Sequence, residues 1–252
     1  MNKTVLITGA TSGIGLACAK IFAKSNFDLI ICGRREERLK KLQDELTNVS
    51  GVSVKYLSFD IKQKESVSEA IDSLKNEGVI IDILINNAGL ASGLSTIQDG
   101  DIDDWEKMID TNIKGLLYIS RAILPMMIKE GKGQIINIGS IAGKEVYPNG
   151  NVYCGTKHAV DAITKGMRID AVKHGVRVSQ VAPGAVETEF SIVRFHGDKD
   201  KADSVYQGFE PLHPEDIADA VLYVANTPEH VNINDLVIMP TAQASATVFN
   251  KH

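Results

Sequence analysis

Cysteine is sparse in this chain: Cys18, Cys32 and Cys154 are spread over 252 residues. None forms a close pair or has metal-ligand spacing, and the six histidines add no ligand pattern, so neither a disulfide scaffold nor a metal centre is expected. Cys154 adjoins Tyr153; it reads as a helix-packing residue, with a reactive thiol as the other reading. Basic charge is not in excess either. Lys and Arg number 27 against 32 Asp and Glu, a net charge of −5, which argues against nucleic acid or a membrane surface as partner. No apolar run is long enough to span a bilayer, and no extended apolar segment of signal-peptide type opens the sequence, so the cytoplasm is the expected location. No linker or low-complexity stretch divides the chain. The length suits one domain over 1–252 with a sizeable core.

What is present alternates. Strand-like stretches fall near 3–8, 27–32, 52–58, 80–85, 134–139, 176–181 and 235–239, with helix-like stretches between them. Long helices are expected over 102–129 and 151–174. This order predicts an α/β fold: a doubly wound parallel sheet of about seven strands with helices on both faces. The segment 191–212 breaks the pattern. It is polar and charged and lies between Pro183-Gly184 and Pro211. It reads as a substrate lid within 188–213 or as a plain surface insertion.

The first strand runs into Gly9-Ala10-Thr11-Ser12-Gly13-Ile14-Gly15, and a helical pattern follows. Strand, glycine turn and helix together suit a dinucleotide cradle, with a glycine-rich turn that binds nothing as the other reading. Gly9 permits the turn, Gly13 lets a pyrophosphate approach the backbone, and Gly15 lets the helix pack on the sheet. Thr11, Ser12 and Ile14 belong to the same cradle, and the anion would sit on the helix N-terminus. The second strand ends in Gly33-Arg34-Arg35. An acid at this point would serve the ribose of NAD; a guanidinium suits the 2′-phosphate of NADP. The phosphate role goes first to Arg34 and then to Arg35, against a surface pair with Glu36 or Glu37. Asp60-Ile61 would border the adenine.

Tyr153 and Lys157 stand at helical spacing, so the lysine can lie beside the phenol. An ammonium there favours the phenolate and draws the tyrosine toward neutral pH, where it can exchange a proton with an alcohol or carbonyl. Ser140 could hold the same substrate oxygen. A solvated helix face is the alternative for the pair taken alone.

Several motifs occur in order: Thr8-Gly9 with Gly13 and Gly15, Asn86-Asn87-Ala88-Gly89, Asn112, Ser140, Tyr153 with Lys157, and Pro183-Gly184 with Thr188. Together they resemble the short-chain dehydrogenase/reductase superfamily over nearly the whole chain. The resemblance implies a Rossmann-type fold and a catalytic tetrad of Asn112, Ser140, Tyr153 and Lys157. In it Asn112 holds a water in the proton path, Asn87, Ala88 and Gly89 line the cofactor, and Pro183, Gly184, Val186 and Thr188 wrap the nicotinamide. It also implies a homotetramer. Gly139 to Gly143, Gly150 to Tyr153, Thr188 to Phe195 and Asn232-Ile233-Asn234 further resemble the NADP-dependent 3-hydroxy acid dehydrogenases, which oxidise serine and L-allo-threonine and reduce malonic semialdehyde. The expected function is therefore hydride transfer between NADP(H) and a small 3-hydroxy acid.

A buried substrate carboxylate needs a partner. Arg194, among Ile192, Val193 and Phe195, is the candidate; its other role would be to anchor the lid to an acid. A 3-oxoacyl-carrier-protein reductase or general carbonyl reductase would share the tetrad. A non-catalytic NADP sensor is a reading of another class, but all four catalytic positions are kept here.

Overall fold

Residues 2–252 are described by a computed structural model. Seven strands form one parallel sheet: β1 (Thr4–Thr8), β2 (Asp28–Gly33), β3 (Val54–Ser58), β4 (Ile83–Asn86), β5 (Gly133–Ile138), β6 (Val176–Pro183) and β7 (Asp235–Ile238). Their order is β3-β2-β1-β4-β5-β6-β7. The expected strands are all present. The fourth begins later than expected, at Ile83, after Val79 to Asp82 have served as the lead-in from the preceding helix.

Successive side chains on β1 explain the two helical layers. Val5 and Ile7 enter one core with Phe22 and Ala23 of α1 (Gly13–Lys24), Leu39 and Leu42 of α2 (Glu36–Ser50), and, from the far end of the chain, Ile217 and Val221. Leu6 points the other way, to Val67 and Ile71 of α3 (Lys64–Asn76) and to Ile119 and Ile123. A strand covered on both faces must be apolar throughout, as Val5, Leu6 and Ile7 are.

The expected helix over 102–129 is interrupted. α4 (Ile102–Ile109) and α5 (Leu116–Glu130) are joined by a π-helical turn, Asp110–Gly115, that carries Asn112. Gly115 fits there because a Cβ would lie 2.9 Å from Ile61. α6 (Asn151–Ala171) is α-helical to Ala171 and tightens into a 3₁₀ turn over Val172–His174, which Gly175 ends in the left-handed conformation. The segment 188–213 is ordered into two short helices, α7 (Glu189–Arg194) and α8 (Lys199–Ser204). Thr188 and Asp198 cap them, accepting from the Phe190 and Lys201 amides. α9 (Pro214–Ala225) follows. No helix among the described residues is long and apolar enough to cross a membrane.

The strand order reverses between β1 and β4, which run side by side from Val5–Ile83 to Ile7–Ile85. At this switch the loops after β1 and β4 diverge and leave a crevice at the strands' C-terminal ends. Buried polar side chains brace the sheet below it. Asn86 donates to Asn137 Oδ1 and Ser120 Oγ, and Asn137 donates to Thr164 Oγ1.

Candidate active site

The crevice is a cleft of about 590 Å³ that runs from Arg34, Asp60 and Ile61, past the glycine loop, to Ser140, Tyr153 and Lys157 beneath α7. Gly9 and Gly13 take φ of +69° and +51°, which a side chain would oppose. At Gly15 a Cβ would lie 2.4 Å from both Asn87 Nδ2 and the Gly9 oxygen. Gly15 thus closes the loop on Asn87 and does not itself line the cleft. Ser12 sits at the start of α1 in extended conformation, its side chain caps nothing, and no acid occupies the first turn. The first N–H groups of the helix and its positive end are left for an anion.

Thr8 Oγ1 accepts from the Asn87 and Ala88 amides at 3.1 and 3.0 Å and donates to the Ile85 oxygen. Asn87 Nδ2 donates back to the Thr8 oxygen at 2.9 Å. These bonds lock the two loops together, so Asn87, Ala88 and Gly89 form a fixed wall. Asn112 stands behind that wall and does not line the cleft. Its Oδ1 accepts from the Leu90 amide at 2.8 Å, and its Nδ2 donates to the Leu90 oxygen and to Thr156 Oγ1. The side chain expected to hold a water is occupied as a brace between the loop after β4 and α6.

Ser140 Oγ accepts from the Ala142 amide at 3.1 Å and lies within reach of the Tyr153 hydroxyl. The electrostatics differ from expectation. Burial, followed by the neighbouring Tyr147, holds the Tyr153 phenol above the usual tyrosine range; Arg194 and the Ser140 hydrogen bond pull the other way. Lys157 does not offset this. It is itself buried, is lowered by that burial to about 8, and donates to the Ile138 oxygen at 3.0 Å. The low-dielectric surroundings that would strengthen the pairing also penalise both charged forms.

The cation over Tyr153 is Arg194. Its Cζ lies 5.0 Å from the Tyr153 ring centre and 5.2 Å from that of Phe190. It donates to Tyr147 Oη at 2.7 Å, while its Nε is buried without a partner. Anchorage to an acid, the other role weighed for it, is not what the segment uses Arg194 for.

The paired arginines separate. Arg34 is 63 % exposed, with only Asp60 nearby at 3.8 Å. Arg35 is engaged: it donates to Thr11 and Ser12 hydroxyls and, at 2.9 Å, to Glu189 Oε2. Arg38 donates to the same carboxylate, and the two arginines hold it below the usual glutamate range. Sequence reasoning missed Glu189, Arg38 and Tyr147. It also missed the C-terminal residues Gln243, Phe249 and Lys251, which line the cleft. Gln243 Oε1 accepts from the Ala185 amide at 2.8 Å and so fixes the segment after β6. No sequence signal marked Glu189, which meets Arg35 and Arg38 only in the folded chain. Cys154 is buried and its thiol is raised by that burial, so it is a packing residue.

The short chain dehydrogenase family model matches residues 3–198. An NADP-dependent 3-hydroxy acid dehydrogenase of Schizosaccharomyces pombe is 46% identical, covering 97% of this chain and 95% of that protein. Sulfoacetaldehyde reductase 2 of Chromohalobacter salexigens is also 46% identical, covering 97% and 96%. Among solved structures, the closed form of serine dehydrogenase complexed with NADP+ superposes with a TM-score of 0.92 at 45% identity, over 99% of both chains.

Proposed function

The chain belongs to the short chain dehydrogenase family, and from that premise we propose that it transfers hydride between NADP(H) and a small 3-hydroxy acid or its semialdehyde or keto partner. The observation that carries the substrate class is Arg194. A guanidinium whose buried Nε has no partner, above Tyr153 and lining the cleft, fits the carboxylate of a short hydroxy acid. The same geometry suits a sulfonate, which makes a short sulfonated aldehyde the second reading.

The residues present fit NADP. The uncapped start of α1, with Gly9, Thr11, Ser12, Gly13 and Ile14, would take the pyrophosphate. Arg34 would take the 2′-phosphate, joined by Arg35 only if it gives up Glu189. Asp60 and Ile61 would border the adenine, Asn87 to Gly89 the riboses, and Pro183, Gly184, Val186 and Thr188 the nicotinamide. When bound, NADP supplies the hydride acceptor for oxidation and the donor for reduction. Ser140 orients the substrate oxygen, and Tyr153 takes its proton in oxidation and returns it in reduction. Lys157, fixed on the Ile138 oxygen, keeps further N–H donors for a ribose hydroxyl. Asn112 keeps the wall and α6 in register. Because the phenol is held high, oxidation strengthens as pH rises, while the protonated form needed for reduction persists into alkaline solution.

The segment 188–213 is the lid, drawn over the cleft by α7. The chain assembles as a homotetramer, and exposed Ile102, Ile109 and Leu117 on α4 and α5, with Ile169 on α6, supply apolar surface for it. Light scattering at micromolar concentration checks this: a tetramer mass is expected, and a monomer mass contradicts it. The function is tested with a panel of small 3-hydroxy acids, uncharged alcohols and short sulfonated aldehydes, followed by NADPH absorbance. Turnover of hydroxy acids with NADP supports the reading, and turnover confined to uncharged alcohols overturns it.

A further inference from the structure

One contact away from the reacting groups ties the segment 188–213 to the body of the protein. His196, just past α7, has φ +53°, a left-handed conformation that is uncommon for a residue with a Cβ. The turn aims its imidazole at α4. Nε2 lies 3.0 Å from Asp104 Oδ2 and 3.3 Å from Ser92 Oγ. The Asp104 side chain is 5 % exposed, and Ser92 donates to its other oxygen at 2.6 Å. A carboxylate so enclosed needs charge compensation. Lys107, on the same helix, reaches it from solvent at 3.3 Å. Asp99 and Asp101 ahead of α4, Tyr153 of α6 and Arg194 of α7 line the small hollow shared with this pair. Beside it, the Gly93 amide donates to the Arg194 oxygen at 2.9 Å, so the position of His196 and that of Arg194 are set together.

We propose that Asp104 and His196 are positioning residues that form a proton-dependent latch on the lid. With imidazolium against the buried carboxylate, α7 stays over the cleft and Arg194 stays over Tyr153. When the imidazole loses its proton, only a neutral hydrogen bond remains and the lid opens more often. The hold is strongest at low pH and weakens as pH rises. Substrate binding weakens with it, while turnover in the closed state keeps its own dependence on Tyr153. This rests on the reading of 188–213 as a lid over the site proposed above.

The chain's single tryptophan, Trp105, adjoins Asp104 and lines the same hollow, so the latch can be read without any substrate. Trp105 fluorescence of the full chain, titrated between about pH 5 and 8, should show a step that is absent in His196→Asn. Asparagine suits the left-handed backbone, and the site is half exposed, so the variant folds. With NADP and whichever hydroxy acid the panel identifies, wild-type KM should rise about three- to tenfold across the step, since a charge-assisted bond is roughly twice as strong as a neutral one. KM of His196→Asn should stay flat at the high-pH wild-type value. No fluorescence step, a step that survives in His196→Asn, or a flat wild-type KM overturns the latch. If the panel yields no substrate, the functional reading fails and the fluorescence result still decides the latch.

Discussion

Replacing Arg194 with alanine separates substrate recognition from mere lid packing. The guanidinium lies 5.0 Å above the Tyr153 ring, donates to Tyr147 Oη at 2.7 Å, and leaves a buried Nε free. Three losses follow, and only the first depends on the substrate. A charge-assisted bond to a substrate carboxylate contributes about 1.5–3 kcal/mol, so kcat/KM for a 3-hydroxy acid should drop about ten- to a hundredfold. The stacking on Tyr147, Tyr153 and Phe190 supports lid closure and contributes up to about 2 kcal/mol; its loss falls on every substrate alike. Finally, Arg194 is the cation that favours the Tyr153 phenolate. Its removal raises the phenol further and moves the acid limb of the oxidation profile to higher pH. Arg194→Lys keeps charge without the planar fork and should recover only part of the loss. The assay is steady-state kinetics on a hydroxy acid and on an uncharged alcohol of similar size, each across pH. Equal losses on both substrates would refute the carboxylate role.

Arg34→Ala should raise KM for NADP about ten- to a hundredfold and leave that for NAD little changed; a wild type that prefers NAD contradicts the phosphate assignment. Gly15→Ala places a Cβ 2.4 Å from Asn87 Nδ2 and from the backbone of Gly9. Overpacking of this kind costs about 1–3 kcal/mol, so a lower Tm and weaker NADPH binding are expected, by thermal melting and fluorescence titration; an unchanged melt and affinity would mean that the loop tolerates the methyl group.

The sheet was legible because a buried parallel strand must be apolar at every position, and Val5-Leu6-Ile7 and Ile83-Leu84-Ile85 are short runs of that kind between helix-like stretches. The glycine loop was legible for a related reason: Gly9, Gly13 and Gly15 are each required by a positive φ or a close approach. Tyr153, Ser140 and Lys157 do converge, yet their electrostatics could not be read from spacing. Helical proximity of Lys157 suggested a lowered phenol, and burial, which periodicity does not measure, outweighs it. Arg34 and Arg35 look equivalent in sequence. Their difference depends on Glu189, which lies 154 positions beyond Arg35 in sequence and meets it only through the fold. Gln243 and Phe249 were missed for the same reason. The π-helical turn at Asn112 was also hidden, because the apolar pattern runs on smoothly through it.

The central claim is that Tyr153 carries the proton in a cleft that also binds NADP. Tyr153→Phe removes one hydroxyl and leaves the glycine loop, Arg34 and Lys157 in place. The measurement is turnover and NADPH affinity on the same variant. Turnover of the hydroxy acid should vanish while NADPH binds nearly as in the wild type; substantial turnover in the phenylalanine variant would contradict the account.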